Sequence, residues 1–387
     1  MISANSLGVI VFVALLCLFL YFKRSKVTLQ KPLFPLVYVI MYRSSFGIRA
    51  MDSISRKLPV VLRLFGYAGV FFGFVGMVII CFALAQSAYK LFFAPAAAAG
   101  VALVLPVKAK GVFFVPFVYW IISIFVLAVI HEAAHGVMAR LYNVNIKSAG
   151  FAFFSIFLPV VPAAFVEPDE KQLKKRRDGQ QLSVFAAGPF ANILFGLAVM
   201  GVLFLAMPAA AGMVNPGGVV ITGFDEGSVA KGAGLSVGEK VIAIDNLSSA
   251  SLGEFTYYLS SKHPGDSIAL KTNMSSYEVV LAAHPDNSSR PFLGVYVAQD
   301  SSIRRDVNPL LVSVVFWVLG LMYWLYILNI GIGLFNLVPI GPLDGGRMVQ
   351  LVAHKVFGIV RGNRAWKAVS LFFFVLVAAN IIFSFLK

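Results

Sequence analysis

The sequence predicts a polytopic α-helical membrane protein with about six transmembrane helices, a re-entrant loop and an inserted small β-rich domain. Of its 387 residues, 59% are hydrophobic and only 13% are charged, whereas ordinary soluble domains have about 25% charged residues. Six apolar stretches have roughly the 20 residues that a bilayer span requires. They are 5–22, 64–89, 112–139, 182–207, 309–335 and 368–386.

The distribution of basic residues predicts the orientation of these spans. Segments 23–63, 140–181 and 336–367 contain 21 lysines and arginines, against 11 elsewhere. Cytoplasmic loops carry such an excess, so we expect these segments inside and the N-terminus and residues 213–300 outside. The net charge of +15 follows this pattern. Membrane lipids are therefore expected partners and nucleic acid is not.

Cys17 and Cys81 lie in apolar segments, which excludes a disulfide framework.

Two apolar pieces do not fit the six spans. Leu33–Tyr42 is too short to cross and contains Pro35, and its basic neighbours predict a place at the membrane interface. Gly150–Val166 has 17 residues with Pro159 and Pro162, and a crossing there would invert the topology. Irregular backbone at membrane depth must be covered by protein or line a cavity, so we expect a re-entrant hairpin or loop.

Residues 213–300 have a different character. Short alternating runs, at Val219–Gly223, Lys240–Ile244, Ser267–Thr272 and Glu278–Ala282, are separated by glycine turns and predict a β-rich domain. The stretch from Gly227 to Gly265 (GSVAKGAGL, then GEKVIAIDN, then PGD) resembles a PDZ domain of the protease-associated type. The usual peptide-carboxylate loop is not recognisable, so peptide binding and a simple spacer role both stay open.

The motif His131-Glu132-Ala-Ala-His135 ends a run without charge from Gly111 to Ile130. On a helix, residues four apart share a face, so both imidazoles can hold one Zn²⁺. Glu132 lies about 100° further round, where a carboxylate can act as a base at the open coordination position. A charged residue costs roughly 2.5–3.5 kcal/mol at the bilayer centre, which favours a functional role over two core histidines and a chance glutamate.

A catalytic zinc needs a third protein ligand. His263 and His284 lie in the β-rich domain and His354 lies in a basic stretch, so none is expected at the depth of the site. Asp344, in the motif NLVPIGPLDGGR after the fifth span, is the only acid between Asp306 and the C-terminus. An aspartate there could simply cap the next helix, but the incomplete zinc site favours a ligand.

Together these motifs resemble the site-2 protease family of intramembrane zinc metalloproteases, over roughly residues 112–350. The resemblance implies that His131, His135 and Asp344 bind one Zn²⁺ and that Glu132 is the catalytic base. It also implies a catalytic role for Asn336, in substrate or oxyanion binding, and matches Gly188-Pro189-Phe-Ala-Asn192 to a family motif. The segment at 150–166 resembles a re-entrant β-loop that pairs with an unwound substrate. An interhelical hydrogen bond is the alternative role for Asn192 and Asn336.

The expected function is therefore cleavage of transmembrane segments in single-span membrane proteins. We expect a multi-pass protein of a prokaryotic cell membrane. Its expected parts are 1–111 (N-terminal helices), 112–207 (first half of the protease core), 213–300 (PDZ-like domain) and 309–387 (second half of the core). Expected substrate-binding residues are Asn192, Gly150, Ala152, Phe153 and Phe154. A catalytically silent PDZ scaffold and a zinc or ion transporter are the alternatives.

Overall fold

The computed structural model describes residues 4–33, 37–44, 46–93, 101–156, 158–225, 227–245, 247–248, 251–285 and 287–386. The chain divides into two compact units. The first unit comprises Met1–Leu203 and Gly320–Lys387, and the second comprises Phe204–Leu319. The functional motifs at 131–135 and 336–347 both belong to the first unit.

Ten α-helices occur in the described residues. They are α1 (Ala4–Phe22), α2 (Phe46–Lys57), α3 (Pro59–Phe93), α4 (Phe117–Leu141), α5 (Glu170–Leu173), α6 (Asp178–Ala211), α7 (Val229–Gly232), α8 (Leu252–Ser260), α9 (Pro309–Phe335) and α10 (Asp344–Leu386). Within the described residues, α3, α4, α6, α9 and α10 are long and apolar enough to cross a membrane, while α1 contributes only the shorter apolar piece Gly8–Phe22. Helix α10 is interrupted at Gly358, whose φ of 72° is not helical.

A four-stranded antiparallel sheet lies in the first unit. Its strands are β1 (Val27–Leu33), β2 (Val37–Arg43), β5 (Ile146–Ile156) and β6 (Leu158–Pro168), in the order β1-β2-β5-β6. A short parallel pair, β3 (Leu103–Leu105) and β4 (Val112–Phe114), lies outside this sheet. The region expected to be a hairpin or loop thus forms the β5–β6 hairpin, in which Phe157 lies outside the described residues.

The structure shows the secondary structure of Leu33–Tyr42, except for residues 34–36, including Pro35, which lie outside the described residues. Most of this segment is β2, which pairs with β1 on one side and with β5 on the other. Its apolar residues therefore complete a sheet, with Met41 only 8% exposed. Helix α2, whose basic residues supported that prediction, has the amphipathic character expected of an interfacial segment. It buries Met51 and Ser55 and exposes Arg49, Arg56 and Lys57.

Helix α3 packs on the elements that carry the site. A Cβ added at Gly73 would lie 3.1 Å from Met348 Cε and 3.4 Å from Ala186 Cβ, and one at Gly76 would lie 2.7 Å from Leu337 Cδ1. The glycines thus allow close contact with α6, with the start of α10 and with the preceding turn. Met138, Ala139, Val184 and Ala187 form a neighbouring buried cluster where α4 meets α6.

The second unit is β-rich. Its strands are β7 (Val214–Phe224), β8 (Lys240–Ile244), β9 (Leu247–Ser248), β10 (Ser267–Thr272), β11 (Ser276–Val280), β12 (Ala282–His284), β13 (Asn287–Phe292) and β14 (Val295–Ile303). The main sheet runs β11-β10-β8-β7-β14, with β9 on β8, and β12 pairs with β13. All four predicted alternating runs lie within these strands, except Leu281 between β11 and β12. A capping box formed by Ser251 and Glu254 begins α8.

Candidate metal centre

Two helices bring together three side chains that could hold a metal ion. His131 and His135 project from α4, and Asp344 is the first residue of α10. Asp344 Oδ2 lies 3.1 Å from His131 Nε2 and 3.3 Å from His135 Nε2, and the two Nε2 atoms are 3.1 Å apart. These three residues are the one His/Cys/Asp/Glu group with metal-binding geometry among the described residues.

The donor atoms fit a zinc ion. Imidazole nitrogen and carboxylate oxygen are zinc ligands, and ligands about 2.0 Å from a tetrahedral zinc lie about 3.3 Å from one another. The observed separations of 3.1–3.3 Å agree with this value. Three protein ligands leave a fourth position open, which is the arrangement of catalytic sites.

The glycines of the LDGG motif position Asp344. Gly345 N donates a hydrogen bond of 2.9 Å to Asn336 O, which joins the two ends of the motif. A Cβ at Gly345 would overlap the carbonyl of Leu337, and a Cβ at Gly346 would overlap the carbonyl of Ile340. The helix can therefore begin against the preceding turn only because these residues have no side chain. Asp344 is thereby held facing α4.

The backbone of α6 orients His135. Its Nδ1 lies 2.7 Å from Val184 O, and because a carbonyl only accepts, Nδ1 carries the proton. Nε2 then keeps its lone pair towards the other two ligands. The hydrogen bond from Nδ1 to Val184 O thus fixes both the tautomer and the orientation of the His135 ring.

Asn192 has the corresponding position beside His131. It is 0% exposed, its Nδ2 lies 3.3 Å from His131 Nδ1, and its Oδ1 is buried without a donor among the described residues. Rotation of the amide by 180° gives Oδ1 the imidazole N–H as its donor. His131 Nε2 is then also free for a metal. Asn192 is therefore buried beside the His131 nitrogen that is not directed at the other two ligands, a position that suits orientation of this histidine.

Gly188 allows α6 to approach both histidines. A Cβ at this position would lie 2.7 Å from His131 Nε2 and would collide with His135 Nε2. The sequence pattern Gly188-Pro189-Phe-Ala-Asn192 drew attention to this turn of helix, but not to this steric role. Only the packing of α6 on α4 reveals it.

Glu132 lines the same cavity as the three metal-binding residues, a space of about 290 Å³. Its Oε2 accepts a hydrogen bond of 2.9 Å from Val166 N on strand β6. The carboxylate is therefore adjacent to the triad without belonging to it. Asn336 and Arg347 also line this cavity, and Arg347 Nη2 lies 3.2 Å from Glu170 Oε1.

The expected substrate-binding segment has a different geometry from the one predicted. Gly150, Ala152, Phe153 and Phe154 lie on β5, which pairs with β2 on one side and with β6 on the other. An added strand would need an unpaired edge, and β5 has none along this segment. The edge next to Glu132 belongs to β6, which sequence reasoning did not separate from β5.

The other histidines are not members of the His131, His135 and Asp344 group found in the described residues. His263 and His284 belong to the second unit, and His354 Nε2 lies 2.7 Å from Asn363 Oδ1 on the other side of the Gly358 interruption. The long apolar helices, the three side chains that could hold a metal ion and the adjacent carboxylate are together typical of membrane proteins with a metal centre.

Comparison with known proteins identifies the family. Residues 119–379 match the model of peptidase family M50, and this match covers more than half of the chain. The chain therefore belongs to peptidase family M50. Zn²⁺ is the cofactor that this membership and the triad together indicate.

Two curated relatives align with part of the chain. Uncharacterized protein MJ0971 of Methanocaldococcus jannaschii is 26% identical over 241 residues, or 60% of this chain and 56% of that protein. Zinc metalloprotease RasP of Geobacillus kaustophilus is 25% identical over 236 residues, or 50% of this chain and 55% of that protein. The matched region thus spans a little over half the length of each relative.

Among solved structures, the PDZ domain of an SdrC-like protein from Listeria innocua is 25% identical with a TM-score of 0.19, and covers 22% of this chain and 97% of that domain. The corresponding domain from Listeria monocytogenes is 22% identical with a TM-score of 0.18, and the match covers 21% of this chain and 87% of that domain.

Proposed function

We propose that this protein is an intramembrane zinc metalloendopeptidase that cleaves transmembrane segments of single-span membrane proteins. The observation that carries this proposal is the juxtaposition of Glu132 with His131, His135 and Asp344 in one cavity between apolar helices. Membership of peptidase family M50 supports it, as does the similarity to zinc metalloprotease RasP.

The residues divide the chemistry between them. His131, His135 and Asp344 would hold the ion, and Zn²⁺ when bound supplies Lewis acidity to a peptide carbonyl and to water. Glu132 takes a proton from the attacking water and delivers it to the leaving nitrogen, as the new carbon–oxygen bond forms and the carbon–nitrogen bond breaks. Asn336 lines the cavity and offers an amide donor to the carbonyl oxygen under attack.

Substrate backbone is proposed to pair with β6. The Val166 N–H points away from β5, because it is donated to Glu132. Alternation along a strand gives Ala164 the same direction. Pro162 and Pro168 share this direction but have no N–H. The edge therefore presents two backbone donors next to the catalytic carboxylate: the N–H of Ala164, and the N–H of Val166, which a substrate carbonyl would accept in place of Glu132 Oε2. A transmembrane helix would have to unwind to reach them.

The topology follows from the charge pattern. We propose six spans, with α1 as the first, in the cell membrane of a prokaryote. The N-terminus and the second unit lie outside, and residues 140–181 lie inside. A ligand for the PDZ-like second unit is not assigned. Membrane lipids surround the spans, whose described side chains include many exposed apolar residues such as Phe204 and Leu205.

A cleavage assay tests the proposed activity. Purified protein in lipid vesicles is mixed with single-span substrates, with and without a zinc chelator, followed by zinc readdition. We expect cleavage within the span, faster where Gly or Pro lies near the scissile bond than in an all-Leu span, and lost on chelation. The Glu132→Gln protein in the same vesicles is the control for contaminating proteases. Cleavage that persists with chelator and in this variant would contradict the proposal.

A further inference from the structure

A second cavity, of about 320 Å³, shares Glu132 and Val166 with the zinc cavity. Helix α2 contributes Ala50 and Met51 to its wall, α4 contributes Ala133 and Val137, and the β5–β6 hairpin contributes Phe151 and Ala164. Glu132 is the only ionisable side chain among its lining residues. The remainder of the lining is apolar apart from Ser44, so the cavity suits an apolar group that lies beside the catalytic carboxylate.

Specific contacts hold α2 against the other two walls. Asp52 on α2 forms an ion pair with Arg140 on α4. One turn beyond Glu132, a Cβ added at Gly136 would collide with Met51 Sδ and would lie 3.2 Å from Val166 Cγ1. The absence of a side chain at Gly136 thus lets α2 and β6 both approach α4. Helix α2 therefore packs against α4 and provides one wall of this cavity.

The position of the cavity identifies its occupant. A substrate strand on β6 would bond to Ala164, and to Val166 by replacing its hydrogen bond to Glu132, and these two residues also line the cavity. The residue placed beside Glu132 is one that flanks the bond being cut. In a transmembrane substrate that residue carries an apolar side chain, and an apolar cavity is the place where it leaves the lipid.

We propose that this cavity is the specificity pocket for one of the two side chains that flank the scissile bond, and that α2 sets its size. This inference rests on the proposed proteolytic function. Helix α2 lies outside the residues that match the family model, which begin at 119. Size selection is therefore a property that the N-terminal region of this chain adds to the shared core.

The test compares pocket variants on substrates of graded size. One single-span sequence carries Gly, Ala, Val, Leu or Phe in turn at each of the two positions flanking the bond, and mass spectrometry identifies the bond cut. One methylene in an apolar pocket changes kcat/KM by roughly 10- to 200-fold. We expect the wild-type protein to prefer Leu over Ala by at least about tenfold at one of the two positions.

Two variants change the pocket in opposite directions. Ala50→Phe should lower the Leu/Ala ratio of kcat/KM by at least about tenfold, while the Ala substrate is still cut. Met51→Ala should raise the Phe/Leu ratio. Ser53→Phe is the matched control, because Ser53 is exposed on the same helix and does not line this cavity. Both ratios should stay at the wild-type values in this control, and zinc content is measured for every protein.

The outcomes separate this inference from the proposed function. If the wild-type protein cuts no substrate, or cuts substrates regardless of chelator, the result contradicts the proposed function itself. Chelator-sensitive cleavage with unchanged ratios in both pocket variants overturns the specificity pocket alone. An equal slowing of all substrates also overturns it, because the cavity would then serve packing or a lipid chain. If Ala50→Phe does not fold, the Phe/Leu ratio of Met51→Ala decides.

Discussion

At the scale of single residues, Gly188 is the most sensitive structural position of the metal centre. Gly188→Ala would place a methyl group 2.7 Å from His131 Nε2, and overpacking of this kind typically costs about 1–3 kcal/mol. We expect the histidines to be displaced and zinc affinity to fall by about tenfold or more. Zinc titration of purified protein measures this.

The same helix provides a matched control. Gly201 has nothing within 4 Å of an added Cβ, so Gly201→Ala should retain wild-type zinc affinity. Equal zinc affinities for the two variants would show that Gly188 does not set the distance between α6 and the histidines.

Asn192 gives a second prediction at this scale. Replacing a residue that orients a metal ligand typically reduces metal affinity 10- to 100-fold. We therefore expect Asn192→Ala to bind zinc more weakly and to regain activity when zinc is added in excess. The KM for substrate should not change, because Asn192 is 0% exposed. A raised KM with normal zinc affinity would instead support the substrate-binding role expected from the sequence.

The sequence identified residues that local spacing brings to one face, but not those that only packing brings together. His131, Glu132 and His135 follow from helical periodicity, and the structure groups Asp344 with the two histidines. The partner of His135 is a main-chain carbonyl, Val184 O, which no side-chain pattern encodes. The donor to Glu132, Val166 N, is of the same kind.

At the scale of elements, β6 carries the prediction about substrate pairing. Val166→Pro removes one of two outward donors and the hydrogen bond to Glu132. We expect cleavage of single-span substrates to fall by roughly tenfold, equivalent to about one hydrogen bond, with zinc content unchanged. Val166→Ala, which keeps the N–H, is the control and should cut these substrates faster than Val166→Pro. Wild-type rates for Val166→Pro would exclude pairing at this edge.

The second unit gives an element-scale prediction about pH. Burial raises the pKa of Asp245, but hydrogen bonds from Tyr258, Ala269 and Lys262 outweigh it, so the pKa is lowered overall. A lowered pKa stabilises the folded state above the pKa of the unfolded chain, about 3.9. That contribution is lost as pH falls through the folded value.

Asp245→Asn tests this effect, and asparagine tolerates the φ of 48° at this position. We expect faster hydrogen exchange in residues 240–272 of the variant at pH 7. The corresponding loss in the free energy of unfolding should be on the order of 1 kcal/mol. The difference from wild type should shrink at pH values below the unfolded-chain pKa of about 3.9 and disappear once pH is below the lowered folded pKa, where both side chains are neutral. A difference of the same size at both pH values would contradict the electrostatic explanation.

The sequence predicted some elements better than others. It predicted a hairpin or loop at 150–166 because two prolines interrupt a short apolar run. It did not predict that β2 joins β5, since Met41 and Ala152 are paired across more than 100 residues of sequence. Long-range strand pairing depends on tertiary packing, and the residues of β2 (VYVIMYR) form a short, mostly apolar run that periodicity alone cannot distinguish from a helix.

At the scale of the whole molecule, the charge pattern predicts the topology. Cys17→Ser and Cys81→Ser give a background without cysteine. In intact cells, a membrane-impermeant thiol reagent should label Ser289→Cys in the second unit. It should label Gly179→Cys at the start of α6 only after permeabilisation. Both positions are accessible in the fold, since Ser289 is exposed and an added Cβ at Gly179 has open space. The reverse labelling pattern would contradict this topology, because every span would then have the opposite orientation.

The central claim is that one zinc ion, held by His131, His135 and Asp344, acts with Glu132 as the base. Zinc content and cleavage rate, measured on the same preparations of wild type, Asp344→Ala and Glu132→Gln, test it most directly. We expect about one zinc per chain in wild type and in Glu132→Gln, and a sharp loss of zinc in Asp344→Ala. Cleavage should fall at least 10²–10⁴-fold in Glu132→Gln, the usual contribution of general acid–base catalysis. Full zinc occupancy in Asp344→Ala, or near-wild-type cleavage by Glu132→Gln, would contradict the claim.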